Sequence, residues 1–277
     1  MRLKNIRNET IEFVRCNLCA KDNTRDLILF DEYKYVQCNN CGLIYQNPRP
    51  VFKDLKKRYS EKYFQYEIRN HHNFFLLMKQ TLNDIKFFTK ISSQIPKPRK
   101  FLDIGCATGL LLNYIRNFDW QVKGIEICKQ SVKYARKNFK LDIFQGTLEQ
   151  AKFKPNTFDV IHFSHLIEHL PEPLSTLKKI YKILKKDGYI LVTTPRIDSF
   201  QAWLFKENWR SFHRDHLYIF SRKTLTEFIK KAGFKIKKFI SWGGIEKGRT
   251  NQFIKTIADK LAKFLNIGDV MFVLAQK

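Results

Sequence analysis

From Phe101 to the end of the chain, short apolar runs alternate with stretches whose apolar residues recur every three or four positions. The runs "FLDIG", "WQVKGIEI", "DIFQG", "FDVIHFSH", "YILVTTP", "FKIKKFISW" and "DVMFVLAQK" read as seven strands, with helical text such as "LLNYIRNF", "SVKYARKNF", "LSTLKKIYKILKK" and "LTEFIKKAG" between them. Such alternation predicts an α/β, doubly wound Rossmann-like sheet covered by helices on both faces. Only "GGIEKGRTNQFIKTIADKLAKFLNIG" separates the last two strands, an ending unlike that of a plain dinucleotide fold.

Before Phe101 the pattern is different. Residues 51–98 turn helical, with i, i+3, i+4 spacing through "HHNFFLLMKQTLNDIKFFTKI", and "IPKPRK" punctuates their end. Residues 1–50 hold two short strand-like runs, "DLILF" and "YKYVQC", between the cysteine pairs Cys16/Cys19 and Cys38/Cys41. This spacing suits a four-thiolate structural zinc site, and Gly42 supplies the positive φ that metal knuckles often need. So small a module lacks the core to fold unaided, and four thiolates leave the metal no open position for catalysis. The expected organisation is therefore a zinc ribbon at 1–50, a helical connector or lid at 51–98 and an α/β domain at 99–277.

The formal net charge of +25 invites a nucleic-acid reading. The excess is spread along the chain, however: 18 Lys+Arg against 10 Asp+Glu up to residue 98, and 33 against 16 beyond it. A dedicated polyanion surface concentrates its charge on one element, so composition alone leaves nucleic acid as an alternative partner only. No apolar run approaches the ~20 residues needed to cross a bilayer. The opening "MRLKNIRNET" lacks the apolar middle of a secretory signal. The expected location is the cytoplasm, where Cys106 and Cys128 serve as small packing residues.

Within "LDIGCATGLLL" the first strand gives way to a glycine turn and a helix. A nicotinamide fingerprint starting at Gly105 requires glycine where Ala107 and Leu110 stand, and no Gly-Lys-Ser/Thr follows for a phosphate loop. What remains is a carboxylate, Asp103, able to hold a cationic amine, followed by small residues over which a ligand can lie close to the backbone. Glu126 ends the second strand 21 residues after Gly105, where a carboxylate reaches ribose hydroxyls. One acid for an amine and one for a ribose are the polar handles of S-adenosylmethionine.

At "LDIGCATG", "GIEICKQSVKYARK", "FQGTLEQAKF", "FDVIHFSHLIEHLPEP" and "LKKDGYILVTTP" the sequence resembles class I S-adenosylmethionine-dependent methyltransferases. The resemblance covers roughly 99–277 and implies a seven-stranded methyltransferase sheet. It implies cofactor contacts at Asp103, Gly105, Cys106, Ala107 and Gly109, at Glu126 and Ile127, at Thr147 and Leu148, and at Ser164. Thr147 stands where many relatives carry an acid.

"HLIEH" also fits the inverted zinc-protease signature, but it follows a strand directly and Pro171 interrupts helix growth. The text is closer to the fourth-strand loop of ubiquinone-biosynthesis O-methyltransferases, with an acid-x-x-Glu-His cluster that in some relatives binds a divalent ion. Here His165 replaces the first acid, which disfavours magnesium. Methyl transfer to a hydroxyl needs a base, and His165 leads, with His216 of "HLYIFS" second and Glu168 and His169 beside them. Arg196 is read as a solvated loop charge before a clamp for a phosphate or carboxylate of the substrate. The resemblance points to a small molecule, nucleotide sugar or glycan precursor as acceptor, with RNA as the alternative.

Overall fold

The computed structural model describes residues 9–244 and 251–277; the segment 1–8, part of the stretch read as lacking a secretory signal, lies outside them. Seven strands form one sheet in the order Lys235–Trp242, Val270–Gln276, Leu184–Pro195, Phe158–Ser164, Arg99–Ile104, Trp120–Glu126, Ile143–Gln145. Arg99–Ile104 pairs in parallel with Trp120–Glu126 and Phe158–Ser164, and Trp120–Glu126 with Ile143–Gln145. Val160, Ile161, Leu102 and Ile125 are buried, as a strand covered on both faces requires. The final strand slots in beside Leu184–Pro195, which gives the ending its departure from a dinucleotide fold.

Where the sequence suggested boundaries near 50 and 98, the chain forms two compact units that interleave. One comprises Met1–Asp54, His165–Leu177 and Thr193–Val273; the other comprises Leu55–Ser164, Lys178–Val192 and Leu274–Lys277.

In the second unit, the helix Glu61–Asp84 packs on the helices Leu110–Arg116 and Lys129–Phe139, burying Glu67, Thr81 and Leu82. A five-residue π-helix, Phe87–Ile91, then brings Phe87 into the core, with its ring stacked 5.5 Å from Trp120 and edge-on to Phe101.

In the first unit, the cysteine-bearing segment builds an antiparallel sheet from Thr24–Leu29, Lys34–Cys38 and Ile44–Gln46. Its fourth strand is Tyr218–Ile219, supplied by the "HLYIFS" segment. Tyr35, Ile44, Trp209 and Ile219 form the shared core. Buried Arg49 ties the same region together: its guanidinium donates to Glu12, Glu172, the Pro171 carbonyl and the Tyr218 hydroxyl. A buried cation is tolerated only with such complete pairing.

One expectation is corrected here. Arg196 is not a solvated loop charge: it is buried, forks onto Asp198 with two 3.0 Å contacts and donates to the Asn266 carbonyl. A guanidinium whose fork is filled by its own chain contributes to packing. The segment between the last two strands contains the helix Gln252–Phe264, capped by the Asn251 side chain on the Ile254 amide.

Candidate active site

The expected cofactor residues all belong to the second unit, at the carboxyl ends of its parallel strands. Ligands of open α/β sheets bind at these ends. After Asp103 the chain reverses through Gly105 (φ +73°), Ala107 (φ +49°) and Gly109 (φ +78°). The Gly105 and Cys106 amides both donate to the Ile125 carbonyl, anchoring the turn to the neighbouring strand. At Gly109 a Cβ would lie 2.6 Å from Leu141 Cδ1, so both backbone angle and space demand glycine.

Glu126 is built into this turn. One carboxylate oxygen accepts from the Ala107 amide at 2.9 Å and the other from the Cys128 amide at 2.8 Å. Each oxygen keeps a second lone pair, which is what two vicinal ribose hydroxyls require. Burial raises the Glu126 pKa, against the backbone amides that favour its charge. Asp103 is buried and one of its oxygens lies 2.7 Å from His162 Nδ1. Ile127 and Thr147 are half-buried, Leu148 is buried, and Ser164 ends its strand. The turn and its two carboxylates fit an amine-bearing nucleoside.

Two groups absent from the sequence reading adjoin Glu126. The helix Glu61–Asp84 carries Glu67, which accepts from Ser131 Oγ and is hydrogen-bonded to Tyr63. Burial, and then the charge of Glu126, push the Glu67 carboxyl up to about 8, so it holds a proton at neutral pH. The unfolded carboxyl ionises near its ordinary value. The stabilisation from Glu67 is therefore full below that value and is lost as pH rises through about 8. Between pH 5 and 9 the cofactor-free protein should lose ~4 kcal/mol, or ~10 °C in Tm. Glu67→Gln, which never ionises, should flatten that decline; thermal melts across this range provide the check.

The acceptor-side residues lie in the first unit. Ile167–His169 is a single tight 3-10 turn rather than a helix, so "HLIEH" does not place two imidazoles on one helical face. His165 has φ +50° and its amide donates to the Thr193 carbonyl. Its Nδ1 lies 3.4 Å from Glu168 Oε1. Glu168 is buried; Oε2 accepts from Thr194 Oγ1 at 2.8 Å, while Oε1 faces His165. Burial alone would raise its pKa, but His165, His169 and His216 outweigh burial and hold it near 2.

Two backbone carbonyls fix the other imidazoles. His169 Nδ1 donates to Asp215 O at 2.7 Å and His216 Nδ1 to Ser211 O at 2.8 Å, which leaves both Nε2 atoms with lone pairs. The two rings meet edge to face at 4.8 Å. Burial, then the neighbouring His169, push the His216 pKa down to about 4, so it is neutral at pH 7. Donor atoms of Glu168, His169 and His216 lie within 4.8 Å of one another.

The ribbon reaches this cluster. Tyr35 Oη lies 2.9 and 2.8 Å from the His213 and His216 carbonyls, and Gln46 Nε2 donates to the Arg214 and His216 carbonyls at 2.9 Å. The strands carrying Tyr35 and Gln46 flank the Cys38/Cys41 knuckle. Sγ atoms of Cys16, Cys19, Cys38 and Cys41 lie within 4.8 Å of one another, with Cys16 and Cys41 3.4 Å apart and Cys19 and Cys38 3.5 Å apart. A Zn–S bond of ~2.3 Å implies sulfurs ~3.8 Å apart in a tetrahedron, so the four thiols fit zinc. Ala20 (φ +61°) and Gly42 (φ +78°) turn the two knuckles at matching positions, their amides donating to the Cys16 and Cys38 carbonyls.

A seven-stranded α/β sheet with a glycine turn and buried carboxylates at its strand ends is the architecture of class I S-adenosylmethionine-dependent methyltransferases. The chain belongs to the methyltransferase-domain family, whose profile matches residues 71–238. A ubiquinone biosynthesis O-methyltransferase of Vibrio cholerae is 31% identical over 102 residues, covering 35% of this chain and 42% of its own length. The namesake from Photobacterium profundum is 29% identical over 148 residues, covering 51% of this chain and 57% of its own. Solved methyltransferases from Thermotoga maritima (21% identity, TM-score 0.54) and Archaeoglobus fulgidus (20%, 0.56) share the fold. They cover 77% and 78% of this chain, and 98% and 99% of their own. No helix among the described residues is long and apolar enough to cross a membrane.

Proposed function

We propose that this enzyme methylates a hydroxyl oxygen of a small molecule or glycan precursor, a sugar hydroxyl before others, in the cytoplasm. An oxygen acceptor is supported by the O-methyltransferase relatives; an activated sugar carbon is the variant of the same reading. S-adenosylmethionine supplies an activated methyl group, so the protein must hold the acceptor and take its proton. Asp103, Gly105, Cys106, Ala107, Gly109, Glu126, Ile127, Thr147, Leu148 and Ser164 are the residues proposed to hold the cofactor.

One observation carries the acid–base reading: His165 directly follows the buried strand Phe158–Ser164, half-exposed, with the Glu168 carboxylate 3.4 Å from Nδ1. A carboxylate at Nδ1 orients the ring and stabilises the imidazolium formed when Nε2 accepts a proton. With its pKa near 4, His216 is a poor base at neutral pH, and its proposed role is to pack against His169 beside Glu168. His165→Gln should lower kcat by ~100-fold with cofactor affinity unchanged. A kcat within threefold of wild type would remove His165 as the base.

The convergence of Glu168, His169 and His216 favours a second reading, in which these groups hold a divalent ion. Two imidazoles and one carboxylate suit a borderline metal rather than magnesium. A metal equivalent beyond the one held by the four cysteines, lost in His169→Ala, supports the ion; no metal beyond that one supports the base reading. Transfer of labelled methyl into nucleotide-sugar extracts and not total RNA would separate the small-molecule acceptor from the RNA alternative.

A further inference from the structure

The helix Gln252–Phe264 turns its apolar side away from the protein. Its inner side is small and polar: Ala262 is buried, Asp259 accepts from the Gly244 amide at 2.7 Å, and the Ala258 carbonyl lies 2.2 Å from where a Cβ on Gly244 would stand. On the outer side Phe253, Ile257, Leu261 and Phe264 fall within about a third of the helical circumference, and Phe253 and Phe264 are 75% and 86% exposed. An amphipathic helix of a water-soluble fold puts this stripe inward. Past the end of this helix the Ile267 carbonyl accepts from the amide of Phe200, which opens the short helix Phe200–Phe205, where Trp203 (71%) and Leu204 are exposed as well. So large an apolar surface marks a docking site.

We propose that this face lies on an anionic bilayer surface, with the helix in the plane of the headgroups. Charge selects that partner. Between residues 222 and 263 the chain carries twelve Lys or Arg and three Asp or Glu. Exposed Lys260 and Lys263 border the apolar stripe, and the strand Lys235–Trp242, on which the helix packs, exposes Lys235, Lys237 and Lys238. Aromatic residues beside lysines are the composition of interfacial helices, whose binding combines buried apolar area with attraction to anionic lipids. A second copy of a chain with net charge +25 would bring like charge to the same face. The inference is independent of the acceptor, and concerns residues outside the methyl-transfer site.

The test is flotation of the full chain, at near-physiological salt, with vesicles of phosphatidylcholine alone or with an equal part of phosphatidylglycerol. Wild type should float with the anionic vesicles, and the double variant Phe253→Ser/Phe264→Ser should bind at least ~10-fold more weakly while keeping wild-type Tm and cofactor affinity. Lys260→Glu/Lys263→Glu should also weaken binding. Failure of wild type to float, or equal flotation of the serine variant, would overturn the proposal. Equal binding to neutral vesicles would overturn the choice of an anionic surface. A dimer in solution that the serine variant dissolves, without vesicle binding, would assign the face to self-association instead.

Discussion

Glu126→Gln should weaken S-adenosylmethionine binding by ~100-fold, because two charge-assisted hydrogen bonds to ribose hydroxyls are each worth ~1.5 kcal/mol or more. The amide replaces one acceptor oxygen with an NH2, which must face either the Ala107 or the Cys128 amide, donor against donor. The turn itself should therefore loosen, and Tm should drop together with affinity. Calorimetry of cofactor binding checks the first effect and a thermal melt the second. A Kd within threefold of wild type would remove Glu126 from the ribose. Loss of Asp103 would likewise lower folding stability with affinity, because it strands buried His162.

Cys38→Ser should reduce bound zinc from one equivalent per chain to well below one, and lower turnover by ~10-fold or more with cofactor affinity unchanged. The split follows from where the ribbon's contacts lead. Structural zinc supplies the folding energy of such a module. Without it the strand Lys34–Cys38 loses its anchor, and with it the Tyr35 hydroxyl that meets the His213 and His216 carbonyls. The residues proposed for the cofactor all belong to the other compact unit. Elemental analysis, kcat and Kd measured on one preparation decide the matter. A variant that keeps full turnover without zinc would show that the metal serves the ribbon alone.

The sheet was legible because central parallel strands are continuous apolar runs, and the glycine turn because backbone geometry restricts which residues fit there. Cysteine spacing disclosed the four-thiol cluster for the same local reason. What stayed hidden depends on distant partners. Tyr218–Ile219 pairs with a strand more than 170 residues earlier, and no short window of sequence encodes that register. Glu67 looks like an ordinary surface acid on an amphipathic helix until helix packing buries it beside Glu126. His162 stands in an apolar run, and only the pairing of its strand with Arg99–Ile104 puts it opposite Asp103. Asp198 fills the Arg196 fork from two residues away, but the contact with the Asn266 carbonyl comes from a segment 70 residues later, which no local window shows.

The borrowed fourth strand of the ribbon also sets an order of events during synthesis. The cysteine-bearing strands leave the ribosome early, yet the edge offered by Ile44–Gln46 has no mate until Tyr218–Ile219 follows. At ~5–20 residues per second that gap lasts roughly 10–35 s, during which the nascent chain presents a bare strand edge to its neighbours.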